Sequence, residues 1–168
     1  MAASSSTATS PSTSTSAAGN PNNKFYHVFL NHRGVDVKKT FARSLYLRLV
    51  QNGLTAFLDN EEIKAGYDIS PQLEHAISTA SVHVAIFTPR YAESHWCLDE
   101  LILMLKTNAP IIPVFHRVTP GEVRWSYAAA LQTHENKLRH NSKTIEDWRN
   151  ALSKVANKSG FELETCNG

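Results

Sequence analysis

The stretch that decides the fold is VHVAIFTPRYAESHWCLDEL, residues 82–101. Its first seven residues, 82–88, are almost continuously apolar, which is typical of a parallel strand with both faces covered. Pro89 ends that strand. From Trp96 onward the apolar residues are spaced as on one face of a helix, which predicts a helix to about Thr107. A buried strand followed by an amphipathic helix is the repeating unit of an α/β fold.

This helix has an unusual pair of side chains on the face away from its apolar residues. The residues expected to point toward the core are Leu98, Leu101, Ile102 and Leu105. At about 100° per residue, Trp96 and Glu100 are neighbours at i,i+4 on a face roughly opposite them. A tryptophan on that face would expose apolar surface unless another group covers it.

The alternation of strands and helices extends over the chain from Phe25 onward. Further strands are predicted at 25–31, 54–59 and 110–115, although Pro113 cannot donate to a ladder and favours an edge strand or a broken strand. Helices are predicted at four further places: from an N-cap at Asp36 to Gln51, closed by Asn52-Gly53; from Ser70-Pro71 onward; around 127–138; and from a capping box at Thr144 and Asp147 to Ser159-Gly160. No fifth strand is evident.

The topology of such a fold predicts where a ligand binds. In open α/β sheets, ligands bind beyond the carboxyl ends of the strands, where the strand order reverses. For the order 2-1-3-4-5, that point lies between strands one and three. The loops that follow those strands are NHRGVD, residues 31–36, and TPRYAESHW, residues 88–96, and the second leads into Trp96 and Glu100. Helix facing and topology therefore indicate the same residues.

Composition excludes several classes of protein. With 168 residues, 42% hydrophobic and 19% charged, the chain is long enough for one domain of ordinary size. The net charge of +2 comes from interspersed acidic and basic residues, so nothing indicates nucleic-acid or membrane binding. No apolar run approaches the ~18 to 20 residues that a membrane span needs.

Cysteine and histidine spacing argues against a metal site. Cys97 and Cys166 form neither a Cys-x-x-Cys pair nor a disulfide framework, so both are expected as reduced thiols. The eight histidines show no zinc spacing, and we therefore expect no metal. Cys97 is interpreted as a small packed residue rather than a nucleophile, although His95 is close in sequence.

The N-terminal segment, residues 1–23, consists almost wholly of Ser, Thr, Ala, Pro, Gly and Asn. Such a segment buries too little apolar surface to offset its ordering entropy, and we expect it to be disordered. An organelle transit peptide is the alternative, but the lack of arginine before Arg33 argues against it. The expected location is the cytoplasm, or also the nucleus. A short tail is expected at 163–168.

Five ordered motifs resemble the plant Toll/interleukin-1 receptor (TIR) domain over residues 24–162. They are VFLNHRGVDVKKTF (28–41), AFLDNEEIKAGYDISPQLEHAI (56–77), VAIFTPRYAESHWCLDEL (84–101), IIPVF (111–115) and WRNAL (148–152). The resemblance implies a flavodoxin-like open parallel sheet of about five strands, order 2-1-3-4-5, with helices on both faces. Because no nucleotide-binding switch or repeat region is present, the chain resembles a TIR-only protein.

The resemblance also implies an activity, which is cleavage of the bond between nicotinamide and ribose in NAD+ when TIR domains self-associate. Glu100 corresponds to the catalytic carboxylate of that family. The other implied substrate-binding residues are His32, Arg33, Gly34, Val35, Asp36, Gly66 and Trp96. NAD+ is then the substrate, no cofactor is needed, and the products are ADP-ribose nucleotides, free or cyclised, for downstream immune signalling proteins.

The chemistry suits these residue types. A carboxylate stabilises an oxocarbenium-like ribosyl centre, a tryptophan face suits a flat or cationic ring, and arginine donors suit a pyrophosphate. Each residue also has a structural alternative: Glu100 could be a solvated helix glutamate, Trp96 could pack under a loop, and Arg33 could pair with Asp36 or a neighbouring acid. Asp99 is interpreted as a first-turn acid near the helix dipole.

Two departures from the family pattern favour a second hypothesis, a non-catalytic adaptor that binds other TIR domains. The usual plant loop is S-F-R-G-E-D, whereas this chain has Asn31 and His32 at its first two positions. The first helix of many members associates through a Ser-His pair, which is replaced here by Arg43-Ser44. Arg43, Ser44 and Lys64 are therefore the candidate self-association residues.

Overall fold

Five strands form one parallel sheet in the computed structural model, which describes residues 25–58, 70–137 and 140–163. The strands are β1 (Val28–His32), β2 (Ala56–Leu58), β3 (Val82–Phe87), β4 (Ile111–His116) and β5 (Phe161–Leu163). Their order is β2-β1-β3-β4-β5. The predicted flavodoxin-like order 2-1-3-4-5 is confirmed, and the order reverses between β1 and β3.

Helices cover both faces of this sheet. They are α1 (Gly34–Val37), α2 (Phe41–Gln51), α3 (Pro71–Thr79), α4 (His95–Lys106), α5 (Pro120–Trp125), α6 (Ala128–Asn136) and α7 (Ser142–Ala156), with a short 3-10 turn at Tyr91–Glu93. Two predicted helix ends are confirmed. The Ser70 hydroxyl caps α3 by accepting from the Leu73 amide at 3.3 Å, and α2 is followed by Gly53 at a φ of +78°.

Two predicted helix starts are wrong. The predicted helix from Asp36 to Gln51 is divided in two. Asp36 lies inside the one-turn helix α1, where its carboxylate pairs with Arg33 and accepts from the Thr88 hydroxyl. The longer helix α2 follows an N-cap at Thr40. The N-cap of α7 is Asn141, whose side-chain oxygen accepts from the Thr144 amide at 2.8 Å. Asparagine is a better cap than threonine, so α7 begins earlier than the capping-box pattern indicates.

The sequence analysis missed β5 and favoured an edge position for the proline of β4. β5 has only three residues, and Phe161 is exposed, so it lacks the alternation that predicts a strand. Its presence places β4 inside the sheet, yet β5 pairs only with 114–116, beyond Pro113. Gly160 lies against Pro113 instead, where a Cβ would come within 2.2 Å of the proline carbonyl oxygen.

The core is divided by the sheet into two apolar clusters. Phe29, Ala85 and Phe87 face the larger cluster with α3, α4 and α7, whereas Leu30 and Ile86 face the smaller one with α2. In α7, the predicted apolar face is buried in the larger cluster at Ile145, Trp148, Leu152 and Val155. β1 and β3 are thus covered on both faces, as their apolar sequences predict.

None of the helices in the described ranges is long and apolar enough to cross a membrane. The predicted tail at 1–23 lies outside the described residues, and so does most of the one at 163–168.

Candidate active site

Helix α4 places Glu100 against the carboxyl end of β1. The N-cap of the helix is Ser94, whose hydroxyl accepts from the Cys97 amide at 3.4 Å. Leu98 and Leu101 are fully buried on the side that faces the sheet. This anchoring brings Glu100 to Asn31, whose side-chain Nδ2 donates to Oε2 of the carboxylate at 2.9 Å.

The predicted facing of Glu100 is therefore wrong in one respect. Glu100 is only 7% exposed, so it does not lie on a solvent-facing side of the helix. A helical wheel assumes that a helix buries a single face. α4 buries a second one, because it also packs against β1 and the turn at Tyr91–Glu93. Trp96, one turn earlier, is half-buried, with its ring 4.5 Å from that of His95.

A buried polar network lies beneath the carboxylate. Asn31 is fully buried; its Nδ2 also donates to the Cys97 carbonyl at 3.3 Å, and its Oδ1 accepts from the Tyr91 hydroxyl. That hydroxyl also lies 3.0 Å from the Cys97 carbonyl. Burial raises the pKa of Tyr91 well above its ordinary value, so the phenol keeps its proton and remains a donor.

Cys97 is a packed residue, as predicted. It is buried, and its Sγ donates to the His32 carbonyl at 3.4 Å. Burial raises the pKa of its thiol far above the ordinary value, so little thiolate forms at neutral pH. Cys97 is consequently a poor nucleophile.

Ion pairs form the rim of the site. Arg33 pairs with Asp36 and, through Nη2, with Glu93 at 3.1 Å. Glu93 also pairs with Arg90 at 2.8 Å, and the hydrogen bond from that guanidinium lowers the pKa of Glu93. The structural alternative for Arg33, a pair with Asp36, is thus observed. A pyrophosphate would have to compete with two carboxylates for this arginine.

The structure separates the other predicted loop residues. His32 pairs in register with Ile86 on the α2 face of the sheet, whereas Asn31 pairs with Ala85 on the α4 face. His32 is buried, with Nδ1 3.2 Å from the Leu30 carbonyl oxygen. Gly34 begins α1, and Val35 is 71% exposed. Of the loop, only Arg33 and Asp36 join the rim.

The predicted self-association residues are partly visible. Arg43 and Ser44 are exposed on α2, and the Arg43 guanidinium lies 5.4 Å from the centre of the Tyr46 ring. Lys64 and Gly66 lie outside the described residues.

Next to the rim is a cavity of about 120 Å³, lined by Glu93, His95, His134, Lys137 and His140. Glu93 is common to this cavity and to the ion pairs around Arg33. In the described ranges, no three His, Cys, Asp or Glu side chains are arranged to hold a metal ion. The expectation of metal-free chemistry stays a prediction.

The sequence analysis missed three residues of the site: Asn31, Tyr91 and Glu93. Asn31 was noticed only as a departure from a loop pattern. Its alternation with Phe29, which faces the larger cluster, was the available signal that its amide points toward α4. Nothing local indicated Tyr91, because its partner Asn31 lies 60 residues away in the chain.

Comparisons with known proteins find similar sequences and a similar structure. The family model described as "TIR domain" matches residues 25–168. The chain is 35% identical over 153 residues to the probable 2' cyclic ADP-D-ribose synthase BdTIR of Brachypodium distachyon, covering 91% of this chain and 66% of that protein. It is 36% identical over 142 residues to the TMV resistance protein N of Nicotiana glutinosa, covering 80% of this chain but only 12% of that protein.

Among solved structures, the chain is similar to the TIR domains of the activated Roq1 resistosome, which directly recognises the pathogen effector XopQ. The two share 40% sequence identity with a TM-score of 0.73, over 85% of this chain and 91% of that one.

Proposed function

This chain belongs to the TIR domain family, and from that membership we propose that it is an NAD+ nucleosidase of plant immune signalling. It cleaves the bond between nicotinamide and ribose and yields ADP-ribose nucleotides. The observation that supports this most directly is Glu100, a buried carboxylate held by Asn31 at the carboxyl end of β1. The name of the Brachypodium relative, a probable 2' cyclic ADP-D-ribose synthase, supports the same substrate class.

The reaction needs little from the protein beyond placed charge. As the bond from ribose C1' to the nicotinamide nitrogen breaks, the bonding electrons leave with nicotinamide, which departs as a neutral molecule. Positive charge develops on the ribose, and the Glu100 carboxylate stabilises it and holds the ribose hydroxyls. Water then adds at C1' and releases a proton, or a hydroxyl of the same molecule adds and yields a cyclic product.

Two further residues bind the substrate in this proposal. Trp96 is half-buried one helical turn from Glu100, where its ring face stacks on the nicotinamide, with about 0.5 to 2 kcal/mol available from such a contact. Arg33 binds the pyrophosphate by exchanging its pair with Glu93 for phosphate oxygens, since guanidinium binds both groups through paired donors. NAD+ is the substrate, and no cofactor or metal takes part.

Activity in this proposal depends on self-association of TIR domains. The assembled Roq1 resistosome, whose TIR domains this chain resembles, supports that dependence. Arg43 and Ser44 lie exposed on α2, where a neighbouring domain has access to them. The products act on downstream immune signalling proteins in the cytoplasm or nucleus.

A non-catalytic adaptor is the second candidate. It is favoured by the ion pairs of the rim, because Arg33 is already paired with Asp36 and Glu93. In that case the domain binds other TIR domains and consumes no NAD+.

The deciding experiment measures NAD+ consumption over a range of protein concentrations, with products identified by mass spectrometry. We expect turnover per molecule to rise with concentration in the wild type and to stay at background in Glu100→Ala. The matched control is Glu146→Ala, because Glu146 is an exposed helical glutamate on α7. Equal turnover in wild type and Glu100→Ala contradicts the proposal. A wild type that assembles and binds a TIR partner without turnover supports the adaptor.

A further inference from the structure

Asn31 is a fully buried polar residue on the face of the sheet that packs against α4. It is the fourth residue of β1, is 0% exposed, and lies between the buried Ala85 of β3 and helix α4. A buried amide costs free energy unless its donors and acceptor are paired, about 1 to 3 kcal/mol by mutational data. Its presence therefore needs an explanation from its bonds.

The chemistry of its partners determines which way the amide points. An ionised carboxylate and a backbone carbonyl only accept hydrogen bonds. Oε2 of Glu100 lies 2.9 Å away and the Cys97 carbonyl 3.3 Å away, so both require the NH₂ group on their side. The Tyr91 hydroxyl then donates to Oδ1 on the other side. A flipped amide would direct its oxygen at the carboxylate.

Tyr91 is packed in the aromatic core, and its hydroxyl in turn holds the Asn31 amide. The Tyr91 ring is 0% exposed, packs edge-on against Phe87 at 4.9 Å between ring centres, and stacks on Tyr127 at 6.2 Å. The aromatic core therefore holds the Tyr91 hydroxyl, the hydroxyl holds the Asn31 amide, and the amide holds the Glu100 carboxylate.

We propose that Asn31 is a positioning residue that orients the Glu100 carboxylate for the developing ribosyl cation, with Tyr91 fixing the orientation of the amide. This inference rests on the proposed function. Asn31 contacts the carboxylate and acts on the reaction through it. A neutral donor suits the task, because it holds the carboxylate without cancelling the negative charge that the cation needs.

The most informative variant is Asn31→Asp, which has the same shape and still accepts from Tyr91. At neutral pH the introduced carboxylate cannot donate and repels Glu100. We expect kcat to fall about 100-fold, as for a misplaced catalytic group, with KM within about threefold of wild type. As the pH is lowered, the introduced carboxyl group takes a proton and donates again, so we expect part of kcat to return.

Tyr91→Phe and Tyr127→Phe form a matched pair of variants. Both remove one buried hydroxyl from stacked rings, but the Tyr91 hydroxyl donates to Asn31 whereas the Tyr127 hydroxyl donates to the Thr88 carbonyl. We expect Tyr91→Phe to lower kcat about tenfold, by loosening the amide, and Tyr127→Phe to lower it much less at a similar loss of thermal stability. Equal losses of kcat in the two variants overturn the role of Tyr91.

A readout without substrate separates this inference from the proposed function. In protein labelled with ¹³C-glutamate, the Glu100 carboxyl signal is assigned by its absence in Glu100→Gln, and its titration midpoint is compared between wild type and Asn31→Ala. Loss of a donor disfavours the charged form, so we expect the midpoint to rise by about one pH unit. An unchanged midpoint, or a pH-independent loss of kcat in Asn31→Asp, overturns the inference. Absence of turnover in the wild type with a shifted midpoint contradicts the proposed function alone.

Discussion

Two adjacent carboxylates on α4 have opposite surroundings. Glu100 faces β1, where it is buried and accepts from the Asn31 amide at 2.9 Å. Asp99 faces α7, where it is half-buried and accepts from Nε1 of the fully buried Trp148 at 2.8 Å. Burial raises the pKa of Asp99, and the bond from Trp148 offsets part of that rise.

The difference supports the proposal that Glu100 serves the chemistry, and it indicates a structural role for Asp99. Glu100 contacts Asn31 near the carboxyl end of β1, which borders the point of strand reversal, and ligands of such sheets bind at that end. Asp99 ties two helices together through an indole on the far side of α4. Four substitutions test this division, from the largest expected effect to the smallest.

Glu100→Gln is expected to lower NAD+ turnover about 10³-fold, because the amide keeps the shape but not the charge that stabilises the ribosyl cation. Its free energy of unfolding should stay equal or rise, since a buried charge is removed. Asp99→Asn is the matched control on the neighbouring residue and should retain turnover. Steady-state kinetics and urea unfolding test both statements. Retained turnover in Glu100→Gln, or its loss in Asp99→Asn, breaks the comparison.

Trp148→Phe is expected to lower the free energy of unfolding by about 2 kcal/mol, from a smaller ring in the core and the lost bond to Asp99. Turnover per folded molecule should not change. Urea unfolding at pH 7, with kinetics on the same samples, measures both quantities. A fall in kcat comparable to that of Glu100→Gln would mean that the α7 side of the helix also serves the chemistry.

Arg33→Lys is expected to raise KM for NAD+ about tenfold with a smaller change in kcat, because an ammonium keeps the charge but loses the paired donors. Arg90→Lys is the control, since Arg90 pairs with the same Glu93 but is far more exposed. Equal KM values in the two variants would show that general positive charge, rather than the Arg33 geometry, attracts the substrate.

Asp99→Asn is expected to raise the free energy of unfolding by about 0.5 kcal/mol at pH 7. Because burial raises the pKa of Asp99 in the folded state, the folded protein binds more protons than the unfolded chain between the two pKa values. Above that pH range the charged form of Asp99 therefore destabilises the fold. The variant's gain in free energy of unfolding should vanish as the pH falls through the range. Urea unfolding from pH 7 to pH 3.5 measures the difference, and a gain that grows on acidification contradicts the assignment.

Much of the fold could be predicted because its signals are local. The apolar run of β3, the Ser70 cap with Pro71 and the turn at Gly53 each depend on neighbouring residues alone. The failures have equally local causes. β5 is too short and exposed to show a period, and the capping-box pattern at Thr144 competed with a better cap at Asn141.

For the candidate site, the sequence predicted several of the residues but not the partners of Glu100. Motif resemblance named Glu100, Trp96 and Arg33, and a helical wheel assigned Glu100 a face that the structure corrects. Neither method could give the partners of Glu100, because Asn31 lies 69 residues earlier in the chain. The loop after β2, with Lys64 and Gly66, lies outside the described residues.

The sequence by itself determined the alternating α/β architecture and, by resemblance, the strand order. It also singled out Glu100, in the helix that follows the third strand. Those features follow from periodicity, caps and motifs, which are properties of neighbouring residues. Only the tertiary structure decided that this glutamate is buried, that Asn31 rather than His32 faces it, and that Arg33 is paired with Asp36 and Glu93. Each of those results comes from residues far apart in the chain, or from which side of the sheet a strand residue faces, and both are set by how the sheet and helices pack.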